Sequence, residues 1–274
     1  MATGCAMFVL TAGTLLVALV VSLILLYFPS TGLYLEAWVT APSTETNVDV
    51  VIAQYGEDLA WVDDFFPPEW NVIVYSKKPD VPVTMRREHT RRFIPNVGRE
   101  HHTYAHHILE HHGKTGSVFT IFCPGSAYAI RYKRRRMQNI VHLAASRDLI
   151  FPALIQIPHI VGGEKCFSSV DRRYCSTHAV NRHGDCAIIP SGYSNVWEFA
   201  RAVGLDPKRI WHMSRTGVGG VSARVLDAVD RDVLMKLQAH LEKGDNVESG
   251  HFAERLWYSI MRTGVDRPWE RERR

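Results

Sequence analysis

Six histidines fall between positions 101 and 112, the densest set of chemically active side chains in the sequence. On a helix turning about 100° per residue, His102 and His106 share one face and His107 and His111 another, each pair at the i, i+4 spacing that can clamp a metal. The stretch HTYAH lacks the glutamate base of the HExxH arrangement, so a zinc protease is not indicated, and His102 with His106 is only a weak metal pair. Histidines on a largely exposed helix are the plain alternative. Just ahead of them, Asn96, Gly98, Arg99 and Glu100 lead into a helix N-terminus, where free N–H groups and the helix dipole favour a phosphate or other anion. Local pairing of Arg99 and Glu100 at the helix start fits the same residues. Far downstream, SGHFAERLW puts His251, Glu254, Arg255 and Trp257 on one helix, with His251 and Glu254 three residues apart and able to face one way. A carboxylate beside a histidine and a tryptophan suits a general base in a sugar-lined pocket, though a helix-stabilising charge next to a core tryptophan has the same signature.

Other catalytic signatures are missing. The sequence has no GxSxG, no GxGxxG after its first strand and no Walker loop; GVGG at 217–220 precedes a helix but lacks the lysine and the spacing of a phosphate loop. Arg131, Lys133, Arg134, Arg135 and Arg136 form a basic run that is either a solvated face or a site for phosphates, as in a nucleotide diphosphate or a lipid headgroup. A net charge of +4 is too modest for a nucleic-acid footprint over the whole domain, so no nucleic-acid partner is expected.

The elements that must position these residues read as one α/β globular domain over 48–262. VDVVIAQY (48–55) is a β-branched strand, EDLAWVDDFF (57–66) has helical spacing, and WNVIVYS (70–76) is a second strand. A polar, proline-containing stretch reaches Asn96, a helix closes at Gly113, and SVFTIFC (117–123) is a third strand. Alternation of this kind predicts a central, mostly parallel sheet. Further helices are expected around Met137–Arg147, over 194–204 with Ser194 as N-cap, from Ser222, over 230–243 and over 249–262, with a short strand at 210–213 and a charged tail at 263–274.

Ahead of the domain, residues 5–28 carry no charge and are long enough as a helix to cross a hydrocarbon core of roughly 30 Å. The segment reads as a retained single-pass anchor after a four-residue tail (1–4), since a basic n-region and a small-residue cleavage site are not evident. Residues 29–47, rich in Ser, Thr and Pro, read as a stalk. No lysine or arginine flanks the segment before Lys77, while Glu36, Glu45 and Asp49 follow it; the expected orientation has the domain lumenal, in the Golgi or endoplasmic reticulum, or extracellular. Cys123, Cys166, Cys175 and Cys186 allow two disulfides in three connectivities or ordinary buried thiols.

The segments VDVVIAQYGEDLAWV, PNVGREHHTYAHHI, SVFTIF, GVGGVSARVLDAV and NVESGHFAERLWYSIM resemble, in this order, the domain of unknown function family 3431 over about residues 48–262. That family has no established reaction, so the resemblance implies a fold neighbourhood and motif positions: Asn96, Gly98, Arg99, Glu100, His102, Thr103 and Tyr104 in one block, and His251, Glu254, Arg255, Leu256 and Trp257 in another. The chain departs from the pattern after the third strand, where CPGSAYAIRYKRRR replaces the usual Gln-Gly pair, and again over 166–186; either change implies an altered substrate or lost activity.

Anchor, stalk, α/β start and a late Glu-bearing helix together look like a membrane-anchored glycosyltransferase of the nucleotide-sugar, GT-A-like type. In that reading Glu254 is the base with His251 beside it. Asn96, Arg99, Glu100, His102, Tyr104, Arg255 and Trp257 bind substrate, and Arg99 and the basic run meet phosphates. The partners are the membrane and a nucleotide sugar or glycan. A divalent metal is the cofactor such chemistry commonly uses, yet no Asp-x-Asp triplet sits where it is usual, after the third strand. Two alternatives stay open: a non-enzymatic membrane-anchored protein that binds a glycan or a partner, and a metal-dependent hydrolase built on the histidine helix.

Overall fold

Burial on both sides of the first strand sets the architecture. In β1 (Val48–Gln54), Val48, Val50 and Ile52 pack to one side and Val51 and Ala53 to the other, so both faces of the strand must be covered. The computed structural model describes residues 19–20, 43–150, 153–155, 188–210, 212–214 and 216–265. The chain continues through α1 (Val62–Phe65), β2 (Asn71–Ser76), β3 (Thr90–Phe93), α2 (Arg99–His111), β4 (Phe119–Pro124), α3 (Arg131–His142), β5 (Leu149–Ile150) and β6 (Ala153–Ile155). It ends in α4 (Val196–Ala202), β7 (His212–Ser214), β8 (Gly219–Ser222), α5 (Ala223–Ala228), α6 (Arg231–Leu241) and α7 (Glu248–Met261).

Six strands form one sheet in the order β3-β2-β1-β4-β8-β5. β3, β2, β1 and β4 are mutually parallel, and β8 is antiparallel to both β4 and β5, so five strands run one way and β8 alone is reversed. This is the expected α/β domain with a mostly parallel sheet. β6 and β7 make a separate antiparallel pair. From β1 the chain steps outward to β2 and β3, then returns to the other side of β1 as β4. The order therefore reverses between β1 and β4, and in open α/β sheets the crevice beyond the carboxyl ends at such a point is where ligands bind.

One face of the sheet carries Tyr104, Ala105 and Ile108 of α2 together with the apolar sides of α4 to α7. The other carries Leu59, Val62, Phe66, Trp70 and, from α3, Met137 and Ile140. Several elements depart from the sequence reading, among them β3, α3 and the start of α4. β3 lies in the stretch that reads as a loop; its TRRF is only half-buried, an edge strand without an apolar pattern. α3 starts at Arg131 rather than Met137, because Lys133, Met137 and Ile140 line up on its inner face and the arginines before Met137 are good helix formers. Asn195, not Ser194, caps α4, its side chain accepting from the backbone of Trp197 and Glu198.

The expected anchor (5–28, apart from Leu19 and Val20), most of the stalk, the tail beyond Val265 and Cys5, Cys166, Cys175 and Cys186 lie outside the described residues. Among the described residues no helix is long and apolar enough to cross a membrane. Cys123 is a free, buried thiol, and burial pushes its pKa up to about 12.

Candidate active site

At the carboxyl end of β2 the chain places Lys77, which is almost fully buried. Its ammonium donates to the backbone carbonyls of Val97, at 2.5 Å, and of Arg99. Burial pulls its pKa down to about 7, with Glu100 acting the other way. The turn it clamps is unusual: Gly98 and Arg99 both adopt left-handed backbone, with φ of 57° and 53°. A Cβ on Gly98 would lie 2.6 Å from Leu241 Cβ, so α6 can approach only a glycine there. A left-handed arginine costs on the order of 1–3 kcal/mol, and such strain persists where the surroundings enforce it.

This turn launches α2 and aims Glu100 inward. The Glu100 carboxylate lies 3.7 Å from Arg99 Nε, 3.8 Å from Lys133 Nζ and 4.0 Å from His101 Nε2. Burial opposes its charge, but His101, Lys133 and Arg99 outweigh burial and hold the carboxyl well below the usual range. At neutral pH the compensating charge comes from Lys133 and Arg99, since burial pulls His101 down to about 4. Trp257 fixes the tautomer of His101: its indole N–H donates to Nδ1 at 2.9 Å, leaving the His101 proton on Nε2, toward Glu100. On the far side, Gly217 leads into β8 with φ of 58°, and a Cβ there would come within 2.7 Å of Glu100 Oε1. The Tyr104 hydroxyl holds the same glycine by donating to its carbonyl at 2.6 Å.

α7 supplies the remaining groups. His251 Nε2 lies 3.4 Å from Arg99 Nη1, and burial, helped by Arg99, pulls this imidazole down to about 3. A histidine held neutral in that way is a poor proton acceptor at neutral pH. Glu254 is pushed the opposite way: burial raises its pKa and the Glu100 charge raises it further, with Lys133, Arg255 and Arg99 opposing. A carboxylate raised above its ordinary value is a better base near neutrality. Arg255 donates to the His251 carbonyl at 2.7 Å, one turn back on its own helix.

The sequence-expected residues thus divide. Arg99, Glu100, His251, Glu254 and Trp257 converge, with Trp257 and Tyr104 buried beneath the site as supports. Asn96 is half-buried in the loop before the Gly98 turn. His102 turns away towards α6, its Nε2 3.6 Å from Glu242, and its ring stacks on His106 with centroids 6.0 Å apart. The histidine helix is not largely exposed: His101, His102 and His107 are buried because α2 packs between the sheet, α6 and α7. His107 Nδ1 lies 3.0 Å from the Tyr75 hydroxyl, and His112 bonds the Val229 carbonyl at 2.8 Å. Among the described residues no three His, Cys, Asp or Glu side chains are grouped to hold a metal, so the residues present do not fit one. Asp230 and Asp232 make an Asp-x-Asp triplet, but Asp230 is occupied in capping α6.

Lys77 and His101 were not singled out from sequence as site residues, and Lys133 only as one member of the basic run expected to meet phosphates. The available signal for Lys77 is its place directly after a parallel strand, where ligand-side residues belong. No family model matches the chain, and no curated protein matches it.

Proposed function

We propose that this domain is a glycosyltransferase of the nucleotide-sugar, GT-A-like type, related to the family of unknown function 3431 and tethered to a membrane by residues 5–28, with the domain lumenal or extracellular. The observation that carries the reading is the placement, near the carboxyl ends of the parallel strands, of a carboxylate raised by burial, Glu254, beside the cations Arg99 and Lys133 from two different helices. In the transfer, an acceptor hydroxyl oxygen bonds to the donor's anomeric carbon as the bond from that carbon to the diphosphate oxygen breaks. Glu254 takes the hydroxyl proton, and the diphosphate leaves with the bonding pair. Arg99, the part-exposed cation of the group, would meet that charge, while Lys133 and Lys77 hold Glu100 and the turn that aim it.

The test is thermal unfolding of the full chain against a panel of nucleotide sugars, followed by turnover with the donor that raises stability. Glu254→Gln is expected to keep the donor-induced shift and to lower turnover by about 10²- to 10⁴-fold. Unchanged turnover would remove Glu254 from the base role. A second reading has one observation in its favour: Arg99 and Lys133 already share Glu100 as an ion-pair partner, as in a site that binds a glycan without turning it over. It predicts binding with no transfer in either form.

A further inference from the structure

On the opposite face of the sheet from α7, a cleft of about 530 Å³ opens between α1 and the start of α3. Its lining includes Trp61, Phe65, Tyr128, Arg131, Arg134 and Arg135, with Asp64 the one acidic side chain. Lys133, between these arginines in sequence, points instead to Glu100, so one helix serves two separate places. We propose that this cleft is a binding site for a compact polyanion carrying several phosphate groups, of the inositol polyphosphate kind, distinct from the carboxylate site.

Charge is the first reason. No ion pair among the described residues involves Arg131, Arg134 or Arg135, and Arg131 and Arg135 sit four residues apart on one helix, where like charges repel. The first turn of α3 has no acidic residue and its N-cap, Ile130, makes no side-chain hydrogen bond. A basic first turn runs against the helix dipole, which prefers negative charge at this end. A local rule broken this plainly, beside a concave surface of ligand size, is what a bound anion would offset. Arginine forks give several charge-assisted hydrogen bonds to each phosphate.

The aromatic residues argue for a polyanion without a base. Trp61 and Tyr128 stack on each other at 5.4 Å with planes 10° apart, Phe65 meets both edge-on, and the Arg134 guanidinium lies 5.0 Å over Tyr128. The rings form a packed floor that fixes Arg134, and they are engaged with one another instead of forming an open slot for a nucleobase.

Titration calorimetry of the full chain with inositol hexakisphosphate at physiological ionic strength tests this. We expect saturable one-to-one binding, weakened at least about tenfold when Arg131→Gln, Arg134→Gln and Arg135→Gln are combined, since several charge-assisted bonds are lost. Circular dichroism checks that this variant is folded. Glu254→Gln should bind as the parent does. So should a variant combining Lys208→Gln, Lys236→Gln and Lys243→Gln, which removes the same charge elsewhere on the surface. Absence of saturable binding, or equal loss in the lysine variant, overturns the site. Displacement by a nucleoside diphosphate at lower concentration than by inositol hexakisphosphate overturns the choice of ligand. Tighter co-sedimentation with vesicles containing phosphatidylinositol bisphosphate than with phosphatidylcholine alone, and loss of that difference in the arginine variant, assigns the polyanion to a lipid headgroup. Soluble binding with no such difference between the vesicles assigns it to a free polyphosphate.

Discussion

Glu100 and Glu254 feel each other's charge, yet their carboxyls are driven in opposite directions. Glu100 has Lys133 and Arg99 within ion-pair distance and stays ionised, whereas Glu254 is governed by burial and by the Glu100 charge itself. Two carboxylates pushed apart in this way divide the work between a fixed charge and a proton acceptor. Glu254→Gln should therefore affect turnover and leave the fold intact. Glu100→Gln should destabilise the fold itself, because it leaves Lys133 buried without its counter-charge; a loss of about 3 kcal/mol in urea unfolding is expected. A loss below about 1 kcal/mol would mean that Lys133 finds water or another partner. Arg99, Glu100, His251 and Glu254 were legible in the sequence as chemistry-bearing types near helix starts. Lys77 and Lys133 were not, since what selects them is a contact across more than twenty residues, and in the sequence Lys133 looks like any other member of a basic run.

α2 and the turn before it link the sheet to this chemistry. Gly98 is held from three sides: its N–H donates to the Gly244 carbonyl at 2.6 Å, Leu241 of α6 presses on its Cα, and Lys77 clamps the carbonyls of its two neighbours. Gly98→Ala must fit a Cβ into a left-handed backbone and against Leu241. A loss of at least about 2 kcal/mol is expected, with the melting temperature of the full chain as the readout. Weaker ligand binding should accompany it, because α6 and the launch of α2 can no longer both keep their places. A wild-type melting temperature would show that the turn can relax. The sequence marks α2 itself well, through its Gly-Arg-Glu start and the glycine after it. It hides the burial of the helix, since histidines do not announce an inward face as leucines do. It also hides β3, an edge strand whose Thr-Arg-Arg-Phe carries no alternation.

Across the whole domain, buried bases outnumber the groups that would balance them, and that fixes how stability must vary with pH. His101 and His102 are held at about 4 and His107 and His251 at about 3, all by burial first, against about 6.5 in an unfolded chain. Between those values the unfolded state binds protons that the folded state refuses. Each histidine therefore costs up to about 1.4 kcal/mol per pH unit as pH falls from about 6.5 towards 4. The raised carboxyl of Glu254 works in the other direction, favouring the fold as pH falls, but it is one group against four. On the alkaline side the same sign comes from Lys77, whose pKa of about 7 lies below the ordinary 10.5. Above pH 7 the unfolded chain still carries that proton and the folded one has released it, so stability should keep rising by up to about 1.4 kcal/mol per unit. The rise should end near pH 9, where the unfolded Cys123 thiol ionises while the buried one, raised to about 12, does not. Urea unfolding of the full chain at half-unit steps from pH 5 to 9 should give a curve that climbs throughout. Lys77→Met should flatten only the part above pH 7, whatever it does to the absolute value, because it removes one titrating group and leaves the histidines in place. A flat alkaline limb in the parent would mean that Lys77 keeps its proton when buried, and that the clamp on the Gly98 turn is a full positive charge at every pH at which the domain folds.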